Sequence, residues 1–180
     1  MNATERITRL LTEVADPVHR QLNQIRLIKE NFDLRTLTDE IAANSTLINP
    51  EYRLFVYCPD ESFPVYADRF RIAQVLTNLM NNAVKYSPQN KEIEVYLEQT
   101  ETYVKLKIID HGIGLNKDEH TKVFQKFYRA ESAPKHVAGF GIGLFLCSEI
   151  IMRHGGKIGI ESLKGEQGTC FYFTLPINVQ

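Results

Sequence analysis

The stretch DRFRIAQVLTNLMNNAVKY, residues 68–86, predicts the long helix around which the rest of the chain is organised. At about 100° per residue, its apolar side chains fall on one stripe, which is typical of a helix packed on a core. Asn78, Asn82 and Lys85 fall together on a neighbouring face. These three polar residues fit a solvated face as well as a binding site, and the helix alone leaves both interpretations open. The predicted core stripe consists of Ile72, Val75, Leu76, Leu79, Met80 and Ala83.

The composition is that of an ordinary globular protein and argues against several classes of function. With 180 residues, 43% of them hydrophobic, the chain can bury the core of one domain plus an appendage. A net charge of -1 provides no electrostatic footprint for nucleic acid. No apolar run approaches the roughly 18 residues that cross a membrane, and residues 1–9 are too polar for a signal peptide. We therefore expect a soluble, cytoplasmic polypeptide that contacts neither nucleic acid nor membrane.

The cysteines indicate neither a disulfide framework nor a zinc site. Cys58, Cys147 and Cys170 are odd in number and lack CxxC spacing. Mostly buried thiols in a reducing compartment are therefore expected.

Residues 4–30 carry the pattern of a long helix, which we expect to form an appendage before the main domain. Its apolar residues recur at alternating spacings of four and three, as on the face of a helix bundle. Asp16 and Pro17 interrupt this pattern and predict a kink or the start of a new helix. A single helix cannot bury such a face, so dimerisation or a truncated helical hairpin is expected. We interpret His19 as a solvent-facing residue rather than as a phosphoacceptor or an acid/base group.

Residues 31–180 predict an α+β domain with helices on one face of a sheet. Asp33 is expected to cap a helix. The apolar alternation in residues 92–98 and 103–110 predicts an antiparallel pair of strands. In chain order, the predicted elements are a helix at 34–43, strands at 53–58 and 65–67, the central helix, strands at 92–98 and 103–110, helices at 117–128 and 142–154, and a hairpin of strands at 157–162 and 169–176.

The sequence DHGIGL, residues 110–115, follows directly on a predicted strand. A carboxylate at a strand end can accept a hydrogen bond from an exocyclic amine, while glycines let the backbone approach a flat ring. This geometry suits adenine. Aspartate and glycine also occur in ordinary turns, so this motif alone indicates nucleotide binding only weakly.

The second glycine cluster, GFGIGL at residues 139–144, leads into a predicted helix. Free N–H groups and the positive end of the helix dipole favour phosphate oxygens at such a position. The cluster does not follow a strand, so it is not a dinucleotide-binding fingerprint. It is not a Walker loop either, because no GK[ST] follows.

Five motifs follow one another along the chain: NLMNNAVKY at 78–86, DHGIGL at 110–115, KVFQKFYR at 122–129, GFGIGL at 139–144 and GTCFYFTLP at 168–176. In this order they resemble the N, G1, F, G2 and G3 boxes of the sensor histidine kinases. These boxes belong to the catalytic and ATP-binding domain of a superfamily that includes gyrase, the ninety-kilodalton heat-shock chaperone and the mismatch-repair ATPases.

The resemblance implies a two-layer α/β sandwich, with a mixed sheet of about five strands under three helices and ATP in a cleft beneath a mobile lid. Residues 31–180 would form this ATP-binding domain. Residues 1–30 resemble the second helix of the family's dimerisation and phosphotransfer hairpin.

Carried over by position, the resemblance assigns the residues of the first motif to the metal and the phosphates. Asn82 would be the Mg²⁺ ligand, and Asn78 would line the metal and phosphate side one turn earlier. Lys85 would contact the phosphates, and Tyr86 would close the nucleotide cleft. Arg129, at the end of FYR, would reach the γ-phosphate. Asn78, Lys85 and Arg129 are thus the expected catalytic residues.

The resemblance assigns the glycine motifs to the base and the lid. Asp110 would bind the adenine amine with support from Thr169, while Gly112 and Gly114 would make room for the ring. The glycines of the second cluster would hinge the lid and present N–H groups to phosphate oxygens. Phe124 and Phe127 fit a plainer interpretation as core residues that anchor the lid. The remaining expected nucleotide-binding residues are Leu115, Gly139, Gly141, Ile142, Gly143 and Leu144.

The resemblance implies phosphoryl transfer from ATP to a histidine. ATP-hydrolysing relatives have a glutamate at the position of Asn78, and an amide is a poor base for activating water. None of the five histidines is followed by the acidic residue and proline of the family's phosphoacceptor box. We therefore expect ATP binding without autophosphorylation, with the phosphoacceptor histidine on a hairpin outside this chain.

The expected partners are that hairpin and a cognate response regulator, within a homodimeric parent protein for which family habit favours a membrane anchor. Two alternatives remain open. One is an anti-sigma-type serine kinase, against which the bundle-type helix of residues 4–30 argues. The other is an inactive docking module with the same fold, against which Asn82, Lys85, Asp110 and Arg129 argue.

Overall fold

The computed structural model describes residues 26–59, 62–130, 140–163 and 167–177. Most of the helix expected at residues 4–30 lies outside these ranges. Its predicted end was wrong, because residues 26–29 are not helical and a strand begins at Glu30. In the described ranges, no helix is long and apolar enough to cross a membrane.

A five-stranded mixed sheet forms one layer of the domain, which confirms the expected α+β fold. Its strands are β2 Arg53–Tyr57, β4 Glu92–Gln99, β5 Tyr103–Asp110, β6 Ile158–Glu161 and β7 Thr169–Pro176. They lie in the order β2, β4, β5, β7, β6. β2 runs parallel to β4, and the other neighbours are antiparallel, including the predicted β4–β5 pair and the closing β6–β7 hairpin.

A separate two-stranded sheet explains why the chain is extended where a helix was expected to end. β1, Glu30–Asp33, pairs antiparallel with β3, Pro64–Ala67. This pairing takes up the backbone hydrogen-bonding groups of β1, so the helix cannot continue through it. The strand partner lies more than thirty residues away along the chain, which no local pattern indicates.

Three α-helices of the described residues pack on one face of the large sheet: α1 Leu34–Ile48, α2 Arg69–Tyr86 and α3 Gly143–Arg153. The predicted cap of α1 is confirmed, because Asp33 Oδ1 accepts the N–H of Arg35 at 3.1 Å. α1 extends five residues beyond its predicted end. Its last turn closes where the backbone and side chain of Asn49 both donate to the carbonyl of Ser45.

The core lies between α2 and the two central strands. All six residues of the predicted α2 stripe are fully buried. The inward residues of β4 and β5 face them from the sheet, as the period-two alternation predicted. These inward residues are Ile93, Val95, Leu97, Val104, Leu106 and Ile108. Because the apolar stripe of α2 is held in the core, the orientation of its neighbouring polar face is fixed as well.

The helix predicted at residues 117–128 was wrong. The segment forms two short 3₁₀ turns, Lys117–Glu119 and Lys122–Phe124. Phe127 has a positive φ of 65°, a conformation that breaks a helix. Its N–H donates to the carbonyl of Gly141 at 2.9 Å instead of to the preceding turn. A contact with the second glycine cluster therefore replaces the local helix.

A buried histidine links the C-terminal end of α3 to the N-terminal end of α2. His154 Nδ1 donates to the carbonyl of Ile150 at 2.8 Å, and its Nε2 accepts the N–H of Asp68 at 2.9 Å. Asp68 caps α2 by accepting the N–H of Arg71, and its other oxygen accepts the N–H of Ile28. Only a neutral imidazole can make both of the contacts of His154.

The folded chain is expected to lose stability as the pH falls below 6.5. Burial lowers the pKa of His154 in the folded chain, so the unfolded chain binds this proton more readily. The stability that depends on the neutral ring is present above pH 6.5 and is lost as the pH falls. The melting temperature, measured from pH 8 to 5.5, checks this.

The matched variant is His154→Gln, whose amide oxygen can accept the same N–H but cannot take up a proton. This variant should show a flatter pH profile of the melting temperature than the wild type. An unchanged slope would contradict the assigned role of His154.

Candidate functional site

A cavity of about 300 Å³ lies between α2, the loop after β5 and the start of α3. It brings together nearly all of the site residues expected from the sequence. Gly112 does not line the cavity. Gly139 lies outside the described residues, as do residues 131–138 of the expected lid. The predicted residues that line the cavity are Asn78, Asn82, Lys85, Tyr86, Asp110, Gly114, Leu115, Arg129, Gly141, Ile142, Gly143, Leu144 and Thr169.

The polar face of α2 forms one side of the cavity. Asn78, Asn82 and Lys85 are spaced by four and three residues, so they project from one side of the helix. Burial, and secondarily the nearby Arg129 guanidinium, lower the pKa of Lys85. Two cations brought together in a partly buried cleft repel each other, and a bound anion would relieve this repulsion. This end of the cavity is therefore suited to a polyanion.

Asp110 is a buried carboxylate in the lining of the cavity. It is the last residue of β5, pairs with Thr169 of β7 and is only 2% exposed. The backbone N–H of Gly112 donates to its Oδ1 at 2.9 Å, and the N–H of Thr169 also bonds to this carboxylate. Burial raises the pKa of Asp110 to about 6, so it is ionised at neutral pH. A carboxylate has about four acceptor positions, which leaves capacity for a ligand amine.

Two glycines allow close backbone contacts around Asp110, one with the end of α2 and one with the residue before β7. A Cβ on Gly112 would lie 2.1 Å from the carbonyl oxygen of Tyr86, at the end of α2. A Cβ on Gly168 would lie 2.0 Å from the carbonyl oxygen of Asp110, and its φ is 136°. A side chain at Gly112 would push the loop after Asp110 away from α2, and a side chain at Gly168 would push against the backbone of Asp110. The role of Gly112 in this structure is thus to place the loop.

Gly112→Ala is expected to weaken nucleotide binding by displacing Asp110. Overpacking of this kind typically costs about 1–3 kcal/mol. Where this free energy must be spent to bring Asp110 into its binding position, ATP affinity decreases by about 10- to 100-fold. Isothermal titration calorimetry with ATP checks this. His111→Ala is the matched control, because the His111 side chain bonds to Glu94 away from the cavity lining. Equal affinity of the Gly112→Ala variant and this control would contradict the packing role.

The second glycine cluster contributes the start of α3. Gly141 has a φ of 67°, and a Cβ there would lie 2.5 Å from the carbonyl oxygen of Tyr128. α3 begins at Gly143 without a side-chain cap. The N–H groups of Gly143 and Leu144 have no carbonyl of their own helix to bond, and both residues line the cavity. Such a helix start is suited to phosphate oxygens.

Several lining residues were missed by the sequence reasoning. Phe171 could have been found from the alternation of β7, which places it beside Ile108 on the inward face. Phe124 packs edge-on against Phe171 with ring centroids 6.4 Å apart, consistent with its interpretation as a core residue. The other missed lining residues are Ile113, Val123, Tyr128, Ala130 and Phe140.

Two other sequence expectations have a structural outcome. His111, expected as a surface turn residue, is partly buried and contacts Glu94 with its Nε2 at 3.0 Å. Cys147 and Cys170 are buried thiols, as expected. Among the described residues, no group of three or more histidine, cysteine or acidic residues could hold a metal ion.

Known proteins are similar to this chain in sequence. Residues 67–179 match the family described as histidine kinase-, DNA gyrase B- and HSP90-like ATPase. The adaptive-response sensory kinase SasA of Crocosphaera subtropica is 32% identical over 95% of this chain, which spans 45% of that relative. The chain thus spans less than half the length of this relative.

Solved structures of histidine kinases have the same architecture. The catalytic domain of histidine kinase ThkA is 30% identical, with a TM-score of 0.71 over 82% of this chain and 97% of that domain. A second structure shows ThkA in complex with the response regulator protein TrrA; it is 27% identical, with a TM-score of 0.73 over 96% of this chain and 48% of the ThkA chain. The chain therefore belongs to the histidine kinase-, DNA gyrase B- and HSP90-like ATPase family, and it carries the catalytic and ATP-binding domain of a sensor histidine kinase.

Proposed function

We propose that this chain binds Mg²⁺-ATP in the cavity and transfers the γ-phosphoryl group to a histidine on a helical hairpin. The observation that carries the proposal is the polar lining of the cavity. A buried carboxylate, Asp110, lines it together with the cations Lys85 and Arg129 and two amides. An adenine nucleotide has the matching groups, an amine and a polyphosphate.

The donor set at the phosphate end fits a magnesium ion. Mg²⁺ prefers oxygen ligands, and it is usually held by one or two protein oxygens together with substrate phosphates and water. Asn82 would hold it through its amide oxygen, with Asn78 beside it on α2. The bound ion would neutralise charge on the phosphates.

The residues of the chain account for positioning and charge in the transfer. Lys85, Arg129 and the start of α3 would bind the phosphate oxygens and stabilise the charge of the transferring group. The acceptor imidazole nitrogen would attack the γ-phosphorus. The bond from the γ-phosphorus to the bridging oxygen would break, and ADP would leave.

The lining favours a histidine acceptor over water. Of the described residues that line the cavity, Asp110 is the sole carboxylate, and none is a histidine. Asp110 is already engaged by two backbone N–H groups at the adenine end. Without a base near Asn78, water is poorly activated and hydrolysis should be slow. An imidazole is already a nucleophile at neutral pH and needs no such base.

The partners belong to the same proposal. A response regulator as recipient is supported by the ThkA–TrrA complex. A homodimeric parent that acts in the cytoplasm also belongs to the proposal, and its dimeric state is supported by the resemblance of residues 1–30 to the second helix of a dimerisation hairpin.

A transfer assay in trans tests the proposal. The chain is incubated with γ-labelled ATP, Mg²⁺ and the helical hairpin of its parent protein as a separate polypeptide. The expected result is acid-labile, alkali-stable label on the hairpin and no label on the chain itself. A hairpin with glutamine in place of the acceptor histidine is the control. Acid-stable label would support the serine kinase alternative, and no label despite ATP binding would support the docking module.

A further inference from the structure

Asn78 and Cys147 form a contact between the two helices that border the cavity. Asn78 lies in α2 and Cys147 lies in α3, 69 residues later. The Asn78 Nδ2 donates to the Cys147 Sγ at 3.2 Å. Cys147 is only 2% exposed, whereas Asn78 is partly exposed and lines the cavity. The thiol therefore lies behind the amide, on the side away from a ligand.

The whole carboxamide of Asn78 packs on Gly143. A Cβ on Gly143 would lie 2.6 Å from the Asn78 Oδ1, 3.1 Å from its Nδ2 and 3.2 Å from its Cγ. Gly143 and Cys147 are one turn apart on α3, so they face α2 from the same side. The carboxamide of Asn78 is thus held between the backbone of Gly143 and the thiol of Cys147. If its oxygen and its NH₂ group exchanged places, the sulfur would lose its N–H donor and would face the amide oxygen with only a weak S–H donor.

The chemistry of Cys147 suits this role and no reactive one. Burial raises the pKa of the Cys147 thiol to about 12, so it stays protonated at physiological pH. A protonated, enclosed thiol is neither a nucleophile nor a good metal ligand. A thiol sulfur is a weak acceptor, and it accepts here from the amide NH₂. The observed contact therefore favours the orientation in which the amide NH₂ group faces the sulfur.

We propose that Cys147 is a positioning residue that fixes the orientation of the Asn78 carboxamide for Mg²⁺-ATP. The inference rests on the proposed function, in which Asn78 lines the metal and phosphate side. With the NH₂ group held by sulfur, the amide oxygen keeps one orientation in the cavity. Without an acceptor at residue 147, the amide can turn its NH₂ group towards the metal, where an oxygen is needed.

The test compares three variants of Cys147. Cys147→Ala and Cys147→Val both remove the acceptor, the first with a smaller side chain and the second with a similar volume. Cys147→Ser restores an acceptor. Loss of a group that orients a metal-site residue typically costs about 10- to 100-fold in metal affinity or activity. We expect the Ala and Val variants to lose about 10-fold of the Mg²⁺-dependent gain in ATP affinity and of kcat for phosphotransfer.

The expected pattern separates positioning from packing. Affinity for ATP without Mg²⁺ and the KM for the hairpin should stay within about twofold, and Cys147→Ser should recover most of the loss. Cys170→Ala is the matched control, because Cys170 is equally buried but does not line the cavity or contact Asn78. Melting temperatures, measured in parallel, identify which variants fold.

Two results would overturn the inference. One is an unchanged Mg²⁺-dependent gain in a folded Ala or Val variant. The other is a loss in these variants that Cys170→Ala reproduces or Cys147→Ser fails to recover. Failure of the proposed function is distinguishable, because the wild-type chain itself would then gain no ATP affinity from Mg²⁺.

Discussion

Replacement of Asn82 by alanine is expected to abolish the Mg²⁺-dependent part of ATP affinity while leaving the fold intact. Asn82 lines the cavity on the face of α2 beside the core stripe, and it is not one of the fully buried residues. Removing its amide leaves the buried residues untouched. Because even groups that only orient metal ligands contribute about 10- to 100-fold, loss of the ligand itself should cost at least about 100-fold.

Calorimetric titration with ATP, with and without Mg²⁺, measures this effect. Asn81→Ala is the matched control, because Asn81 is the same residue type on the same helix but is exposed and does not line the cavity. It should bind Mg²⁺-ATP like the wild type. If Asn82→Ala kept its Mg²⁺-dependent affinity, the metal assignment would be wrong.

Asp110→Asn is expected to weaken ATP binding and to relax discrimination against GTP. Hydrogen bonds to charged groups contribute about 1.5–3 kcal/mol, which corresponds to roughly 10- to 100-fold in affinity. An asparagine amide can accept from an amine or donate to a carbonyl, so it can accommodate guanine as well. Competition of ATP and GTP for the variant measures both effects. Retained adenine selectivity would remove Asp110 from this role.

The same carboxylate predicts how ATP affinity changes with pH. Burial raises the pKa of Asp110 to about 6 in the free chain, and a bound amine favours the ionised form. Binding therefore releases a proton below pH 6, and ATP affinity should fall as the pH decreases through about 6. Asp110→Asn has no proton to release here, so subtracting its profile isolates this effect from the titration of ATP itself. Parallel profiles for both proteins would contradict the prediction.

Local periodicity explains why the central helix and the sheet could be predicted. The stripe of α2 repeats at helical spacing, and its burial depends on that spacing alone. β5 alternates strictly and β7 alternates from Phe171 onward, and both were predicted with their observed bounds. Most residues of the candidate site were assigned through the resemblance of the five motifs. Many of their side chains project from α2 or stand at the ends of β5 and β7, which are elements that periodicity predicts.

Contacts between distant residues account for what the sequence did not predict. Residues 117–128 have helical spacing, but the hydrogen bond from Phe127 to Gly141 overrides this local preference. The contact of Asn78 with Cys147 also joins two helices that are far apart in sequence. Neither partner of such a pair carries a local pattern that identifies the other.

Calorimetric titration of the wild-type chain with ATP and with GTP, each with and without Mg²⁺, shows whether this cavity is a Mg²⁺-ATP site. We expect one ATP to bind per chain, with an affinity that increases with Mg²⁺ and clearly exceeds that for GTP. A folded chain that binds no nucleotide, or that binds both nucleotides equally with no effect of Mg²⁺, would contradict the claim that this cavity is a Mg²⁺-ATP site.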